Sequence, residues 1–229
     1  MDRGLTALEL VAMTDAPPTI DELARSLAVH RSIAYRIVRT LEEHRLVRRD
    51  ADGRCLPGER LAALGRNVRV PLHAAAVPEL TALADDLGMT AFLVVRLDDE
   101  VITIESIEPR TTSAHVAYRP GSRHAVDRGA PGLAMLAGAP PVTGERSEVD
   151  VARERGWSHT AGEVIPGLAS IASWVLGPDG EVAGAVACVF LAGIEIDANA
   201  TGTRVMAAAD AVTSAIGGRA MNGRVRGDE

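Results

Sequence analysis

Residues 19–57 constrain this chain more than any other stretch. Thr19 stands ahead of an apolar-periodic run, with Glu22 three places on. A hydroxyl and a carboxylate at that spacing can each bond the other's backbone N–H and so start a helix. Ile20, Leu23, Ala24 and Leu27 then recur on one helical face. Ala28 and Val29 supply a tight turn with neither Gly nor Pro. A second helix is predicted from about residue 30 to 43, with Ile33, Ala34, Ile37, Val38 and Leu41 as its buried stripe. Its other face carries Arg31, Ser32, Tyr35, Arg36 and Arg39. Residues 46–50 predict a short strand, Asp52-Gly53 a hairpin turn, and residues 54–57 the return strand.

Helix, short turn, Arg-bearing helix and hairpin together predict a winged helix-turn-helix, with the second helix entering the major groove of DNA. Arg offers a planar fork that fits guanine edges and phosphates bidentately. On this reading Arg31, Ser32, Tyr35, Arg36 and Arg39 face the groove, and Arg54 on the wing reaches phosphate. Arg39, late on the helix, suits phosphate better than base. A plainer alternative stays open at this point: a helical hairpin whose arginines are a solvated face. Ahead of it, residues 3–13 predict a helix with Leu5, Leu8, Glu9, Val11 and Ala12 on its stripe, ended by the Pro17-Pro18 segment.

The charge balance bears on this reading. The chain's net charge is −7, which opposes a polyanion. Its distribution is uneven: residues 1–66 hold eleven Arg against ten Asp and Glu, a net of +1. The rest carries a net of −8, so only the N-terminal segment suits DNA, and through its local Arg cluster. No lysine occurs and all 24 cations are Arg. With 229 residues and 47% hydrophobic content, one or two domains with a substantial core are expected. Cys55 and Cys188 lie too far apart to suggest a disulfide framework, and no His or Cys spacing suggests a metal site. No cofactor is expected. No apolar run is long enough to span a membrane and no signal peptide is evident, so a cytoplasmic location is expected.

Downstream, residues 59–68 predict a helix that links two domains and pairs with its copy in a dimer, against the alternative of a solvated linker helix. A helix from Leu72 to Leu87 must accommodate Pro78 near its first turn or at a kink. Residues 90–96 and 101–107 flank Asp98-Asp99 as a hairpin, and residues 113–118 predict a third strand. Short helices are predicted at residues 132–136 and 149–155. Residues 170–176 and 182–190 flank Gly177-Pro178-Asp179-Gly180 as a second hairpin. A final helix covers residues 201–216. Strand pairs bracketed by helices give an α+β fold with a mainly antiparallel sheet. The expected domains are 1–60 (winged helix), 61–77 (linker helix), 78–217 (second domain) and 218–229 (disordered tail).

These residues now carry a resemblance. Residues 28–41, followed by Leu46-Val47-Arg48-Arg49-Asp50 and Asp52-Gly53-Arg54, resemble the IclR family of bacterial transcriptional regulators. Pro120-Gly121-Ser122-Arg123 is similar to that family's Gly-Ser-Arg turn. Arg155-Gly156-Trp157, Gly162-Glu163 and Pro166-Gly167-Leu168-Ala169-Ser170-Ile171-Ala172 are similar to its later segments. The resemblance spans residues 3–217. It implies a winged helix joined by a helix to a GAF/PAS-like effector-binding domain, a homodimer or tetramer, a palindromic double-stranded operator, and a small organic or aromatic effector.

The resemblance also marks departures. The family's pocket polar groups fall here at Thr160, Ser170, Ala187 and Val189, so two positions keep a hydroxyl and two lose one. Asp127, Gly129 and Leu133 replace the family's His, Thr and Lys, and residues 137–148 form a shorter segment that deletes a helix. Backbone N–H groups at Ala130 and Gly132 remain as donors; Pro131 has none. An anion taken out of water needs such donors, so the pocket is expected to take a larger, more apolar ligand, or none. An enzyme with Ser170 or Cys188 as nucleophile and His159 as base is the weaker alternative. No Gly-x-Ser-x-Gly elbow surrounds Ser170, and Cys188 sits in an apolar run.

Overall fold

Three helices close on a hairpin in the first part of the chain: α1 (Asp2–Met13), α2 (Ile20–Ser26), α3 (Arg31–Glu43), β1 (Val47–Arg49) and β2 (Cys55–Pro57). The computed structural model describes residues 1–14, 16–65, 70–112 and 115–220. It divides into two compact units, Met1–Val70 and Pro71–Glu229. The start of α2 is the reciprocal cap its sequence predicts: the Thr19 N–H donates to Glu22 Oε2 at 2.7 Å, and the Glu22 N–H to Thr19 Oγ1 at 3.3 Å. Ala7, Val11, Leu23, Val38, Leu41, Val47 and Cys55 form one core. Ala28 turns the chain between α2 and α3 with φ +50°, a left-handed conformation that costs an L-residue roughly 1–2 kcal/mol.

Four expected stripe positions fall outside this core, Glu9 and Ala12 of α1 among them, both exposed. Ile33 is 40% exposed and Leu5 56% exposed. At roughly 100° per residue, Ile33 lies about 100° around the axis from the buried Ala34, Val38 and Leu41, beyond the edge of the apolar stripe. In α1 it is Ala7 and Val11 that turn inward. After the hairpin, α4 (Arg60–Gly65) is shorter than the predicted 59–68 helix, whose last residues lie outside the described ones. Leu61 is half-buried and Leu64 is exposed.

The second unit begins with α5 (Val70–Leu87), which runs through Pro78. A proline inside a helix costs about 3 kcal/mol. Leu80 and Leu83, each fully buried just beyond it, return roughly 1.5–3 kcal/mol apiece, so packing carries the helix on. A six-stranded antiparallel sheet follows in the order β5-β4-β3-β8-β7-β6. Its strands are β3 (Thr90–Leu97), β4 (Glu100–Ile107), β5 (Arg123–Ala125), β6 (Ser158–Ala161), β7 (Leu168–Leu176) and β8 (Val182–Leu191). One face packs on α5 and α8 (Ala198–Ala215) through Ile171, Val186, Cys188, Val205 and Val212. The other packs on α6 (Gly129–Gly138) and α7 (Ser147–Arg155) through Phe92, Leu133, Val149, Ala172 and Ala187.

The predicted strand at residues 113–118 does not form over 115–118, and Ser113 and Ala114 lie outside the described residues. The outer edge of β4 is taken by β5 and by the Gly121 N–H, which donates to the Thr103 carbonyl. Val116 and Tyr118 pack instead against the Phe92 side of the sheet. Residues 139–146 run between α6 and α7 without helix. At the other end of the sheet, β6 carries no run long enough for periodicity to announce it. Of the expected disordered tail, 221–229 lie outside the described residues, while the Gly218 N–H is bonded back to the Thr213 carbonyl.

Candidate nucleic-acid interface and ligand cavity

The burial of Ala34, Val38 and Leu41 decides which side chains of α3 reach solvent. Ser32, Arg36 and Arg39 emerge opposite that stripe, within roughly 60° of one another, and all three are exposed. Arg31 and Tyr35 are exposed on the flank. His30 caps the helix: its Nδ1 accepts the Ser32 N–H at 3.3 Å and lies 2.9 Å from Ser32 Oγ. Arg31 pairs with Asp21 at 2.9 Å and Arg39 with Glu43 at 3.1 Å, all four side chains being more than half exposed. Such surface pairs are worth about 1 kcal/mol or less and exchange readily for phosphate. Of the α3 arginines, Arg36 alone has no carboxylate partner among the described residues.

The wing is fixed to this helix. Arg49 of β1 grips Glu42 of α3 with two hydrogen bonds, at 2.7 and 3.0 Å, and its guanidinium lies 5.9 Å over the Tyr35 ring. Arg54 donates to the Pro17 carbonyl at 2.8 Å, so it stands at the foot of the wing, tied to the chain before α2. Sequence reasoning did not single out Arg49 or Glu42, because only the fold brings residues seven apart across a helix–strand corner.

In the second unit, strand register gathers part of the predicted pocket. Thr160 pairs with Ser170, and Ser170 with Val189, so the three form a row across β6, β7 and β8. With Pro131 at the start of α6 they line one cavity. Ala187 lies on the same face, one row on, but is fully buried between Ala172 and Phe92 and does not reach it. Ala130 does not line it either. Its N–H donates to Thr160 Oγ1 at 2.9 Å. The Gly129 N–H before it donates to Glu163 Oε2 at 3.0 Å, and Pro131 has no N–H. Gly132 stands four residues past the N-cap Arg128, where the N–H is spent on the intrahelical ladder. The donors expected of Ala130 and Gly132 are therefore engaged within the chain.

Apolar groups that sequence reasoning missed complete the walls. Phe92 and Tyr118 meet with ring centroids 4.6 Å apart, and Val164, Ile165 and Leu168 add to the lining. In a chain with two Phe and two Tyr, one of each meets here; that scarcity was the signal available. His124 also reaches the cavity; burial holds its pKa below the usual value, so it is neutral at pH 7. Glu163 is held below the usual carboxylate range chiefly by Arg146, which grips it at 2.8 and 3.0 Å. The cavity leaves about 30 Å³ for the centre of a water molecule, room for about two or three waters.

The groups of the enzyme alternative do not assemble. Ser170 faces the cavity, whereas His159 is in register with Ile171 on the other face of the sheet. Cys188 is fully buried, its thiol pushed up to about 12 by burial, and a whole strand separates it from His159. Among the described residues no group of three or more His, Cys, Asp or Glu is placed to hold a metal, and no helix is long and apolar enough to cross a membrane.

Comparison with known proteins agrees with this architecture. The family model of the IclR helix-turn-helix domain matches residues 1–51. No curated protein matches the chain. Among solved structures, an IclR transcriptional regulator from Alicyclobacillus acidocaldarius is 26% identical, with a TM-score of 0.79 over 94% of this chain and 98% of its own. An IclR homologue from Microbacterium hydrocarbonoxydans, complexed with 4-hydroxybenzoate, is 20% identical with a TM-score of 0.79, covering 93% and 97%. The Thermotoga maritima IclR is 19% identical with a TM-score of 0.68, covering 94% and 98%. The first 51 residues thus match an IclR helix-turn-helix domain, and the whole chain is similar in fold to IclR transcriptional regulators.

Proposed function

We propose that this regulator binds a palindromic double-stranded operator as a homodimer or tetramer in the cytoplasm, and that a small, largely apolar effector in the GAF-like second unit controls it. The observation that carries the DNA reading is the exposed row of Ser32, Arg36 and Arg39 opposite a fully buried stripe. Arg36, without a carboxylate partner among the described residues, is the base reader, and Arg31, Arg39 and Arg54 take phosphates. After selection of the operator from a random duplex pool, Arg36→Ala is expected to weaken its binding by about 1–3 kcal/mol. Unchanged affinity in a gel-shift titration would remove Arg36 from that role.

The effector reading rests on the cavity at Pro131, Thr160, Ser170 and Val189. Its walls are mostly apolar, and the first-turn donors of α6 are engaged by Glu163 and Thr160. A compact carboxylate would be left without partners there, at a cost of several kcal/mol. That a relative of the same fold is complexed with 4-hydroxybenzoate supports a monocyclic aromatic as the size class. A thermal-shift screen on the full chain is expected to favour uncharged aromatics over dicarboxylates and 2-oxo acids; the reverse order would reject this pocket chemistry. A second reading, a cavity that binds nothing, is favoured by its small volume of about 30 Å³, and a screen with no shifts at all would support it.

A further inference from the structure

The loop between β6 and β7 supplies Glu163, Val164 and Ile165 to the wall of the cavity, yet Val164 is 39% and Ile165 42% exposed. These residues sit on the cavity rather than in the core. Gly162 and Gly167 bound the loop with φ of +70° and +81°, and a Cβ added to either would meet nothing within 4 Å. Both ends are in a conformation open to glycine at little cost, and backbone hydrogen bonds hold them: the Gly162 N–H donates to the Leu168 carbonyl and the Ala192 N–H to the Gly167 carbonyl. Between them the polar side-chain fastening of the loop is at Glu163. Glu163 bonds Arg146 twice and the Gly129 N–H once, and its carbonyl accepts from Arg128 Nη2. Val164 reaches over Gly129 so closely that a Cβ there would lie 2.7 Å from its Cγ2.

The free volume of the cavity, about 30 Å³, is smaller than an aromatic ring, so a ligand of that size fits only if one wall moves. The other walls are strands β3, β5, β6, β7 and β8 and helix α6, tied into ladders or the core, and Tyr118, which lies outside the strands but is packed on Phe92. We propose that residues 162–167 are a lid, latched by the Glu163–Arg146 ion pair, and that the effector enters when this latch parts. The inference rests on the effector reading above. It also gives entry a consequence: parting the latch removes the carboxylate that caps Gly129, so ligand entry loosens the first turn of α6.

The test needs no effector. In the full chain, Ser170→Cys sets a thiol in the cavity wall, and its reaction with methyl methanethiosulfonate is followed by mass spectrometry. Glu163→Gln is then added; it removes the charge and keeps an oxygen able to accept from Gly129. Labelling at position 170 is expected to accelerate about tenfold or more, while the fully buried Cys188 keeps its rate. An unchanged rate at 170 would overturn the proposal, since the cavity would be reached by another wall. Equal acceleration at Cys188 would also overturn it, because Glu163 would then hold the whole unit together. Should the double variant not fold, amide exchange in Glu163→Gln alone decides: faster exchange confined to residues 162–168 is expected, and exchange spread into β8 would refute the lid. A lid that opens in a chain to which no ligand binds would sink the effector reading alone.

Discussion

At the scale of single residues, two positions show how sequence and surroundings divide the work. The cap between Thr19 and Glu22 was fully legible, because both partners are local and the spacing fixes the geometry. Ile33 was not: its type says core, but only the direction of the packed stripe in α3 shows that it points away from it. Ala28 lies between these cases. Its position marked a turn, and the structure adds that the turn is left-handed, at φ +50°. Relief of roughly 1–2 kcal/mol of left-handed strain, less about 0.5–1 kcal/mol of added chain entropy, makes Ala28→Gly stabilising by about 0.5–1 kcal/mol. Denaturant unfolding of the full chain, followed in the first transition to include the N-terminal helices, should show a higher midpoint. A lower one would mean that the methyl group of Ala28 has a packing role.

At the scale of elements, α6 concentrates the chemistry and was read least well. Residues 132–136 were expected where residues 129–138 are helical, because the three residues that fix its start satisfy their N–H groups through partners about thirty residues away, or, at Pro131, have none. No local pattern announces a cap supplied by another strand. The same distance hides the cavity: Phe92, Tyr118 and Val164 come from three separated segments, and only the folded chain joins them. Thr160→Val removes the hydroxyl that accepts from Ala130 and leaves a buried donor unpaired, so it should cost about 1–3 kcal/mol, read as a shift in the denaturation midpoint. The latch at Glu163 sets a pH dependence whose sign follows from its depressed pKa. Its contribution is full above the unfolded carboxylate value of 4.5 and is lost as pH falls through the lower folded value. Amide exchange of residues 162–168, corrected for intrinsic rates, should therefore loosen only below about pH 4.5, whereas loosening between pH 6 and 8 would point to a histidine instead.

At the scale of the whole molecule, charge asymmetry shapes how the protein meets DNA. A chain of net −7 whose first 66 residues carry +1 has little long-range attraction for a duplex. Its affinity must come from short-range contacts by a few arginines. If Arg31, Arg39 and Arg54 hold phosphates, with Arg36 on a base, three phosphate contacts per copy give a slope of log K against log salt of roughly −3 per copy. Fluorescence anisotropy between 50 and 200 mM salt measures it, and a slope twice as steep would mean that arginines outside this set share the phosphates. The composition shift between the two parts was visible in the sequence. The division at Val70/Pro71 falls between the two helices predicted at 59–68 and from Leu72 to Leu87.

Each of those two parts encloses one cysteine, Cys55 in the wing and Cys188 in the sheet, and both are 0% exposed. A thiol so enclosed reacts only while its own surroundings are breached. The pair therefore acts as two separate clocks on one chain, timing the breathing of the DNA-reading half and the sensing half in a single sample. Duplex should slow the first clock and effector the second. Should effector also change the rate of the first, the conversation between the halves would be heard directly.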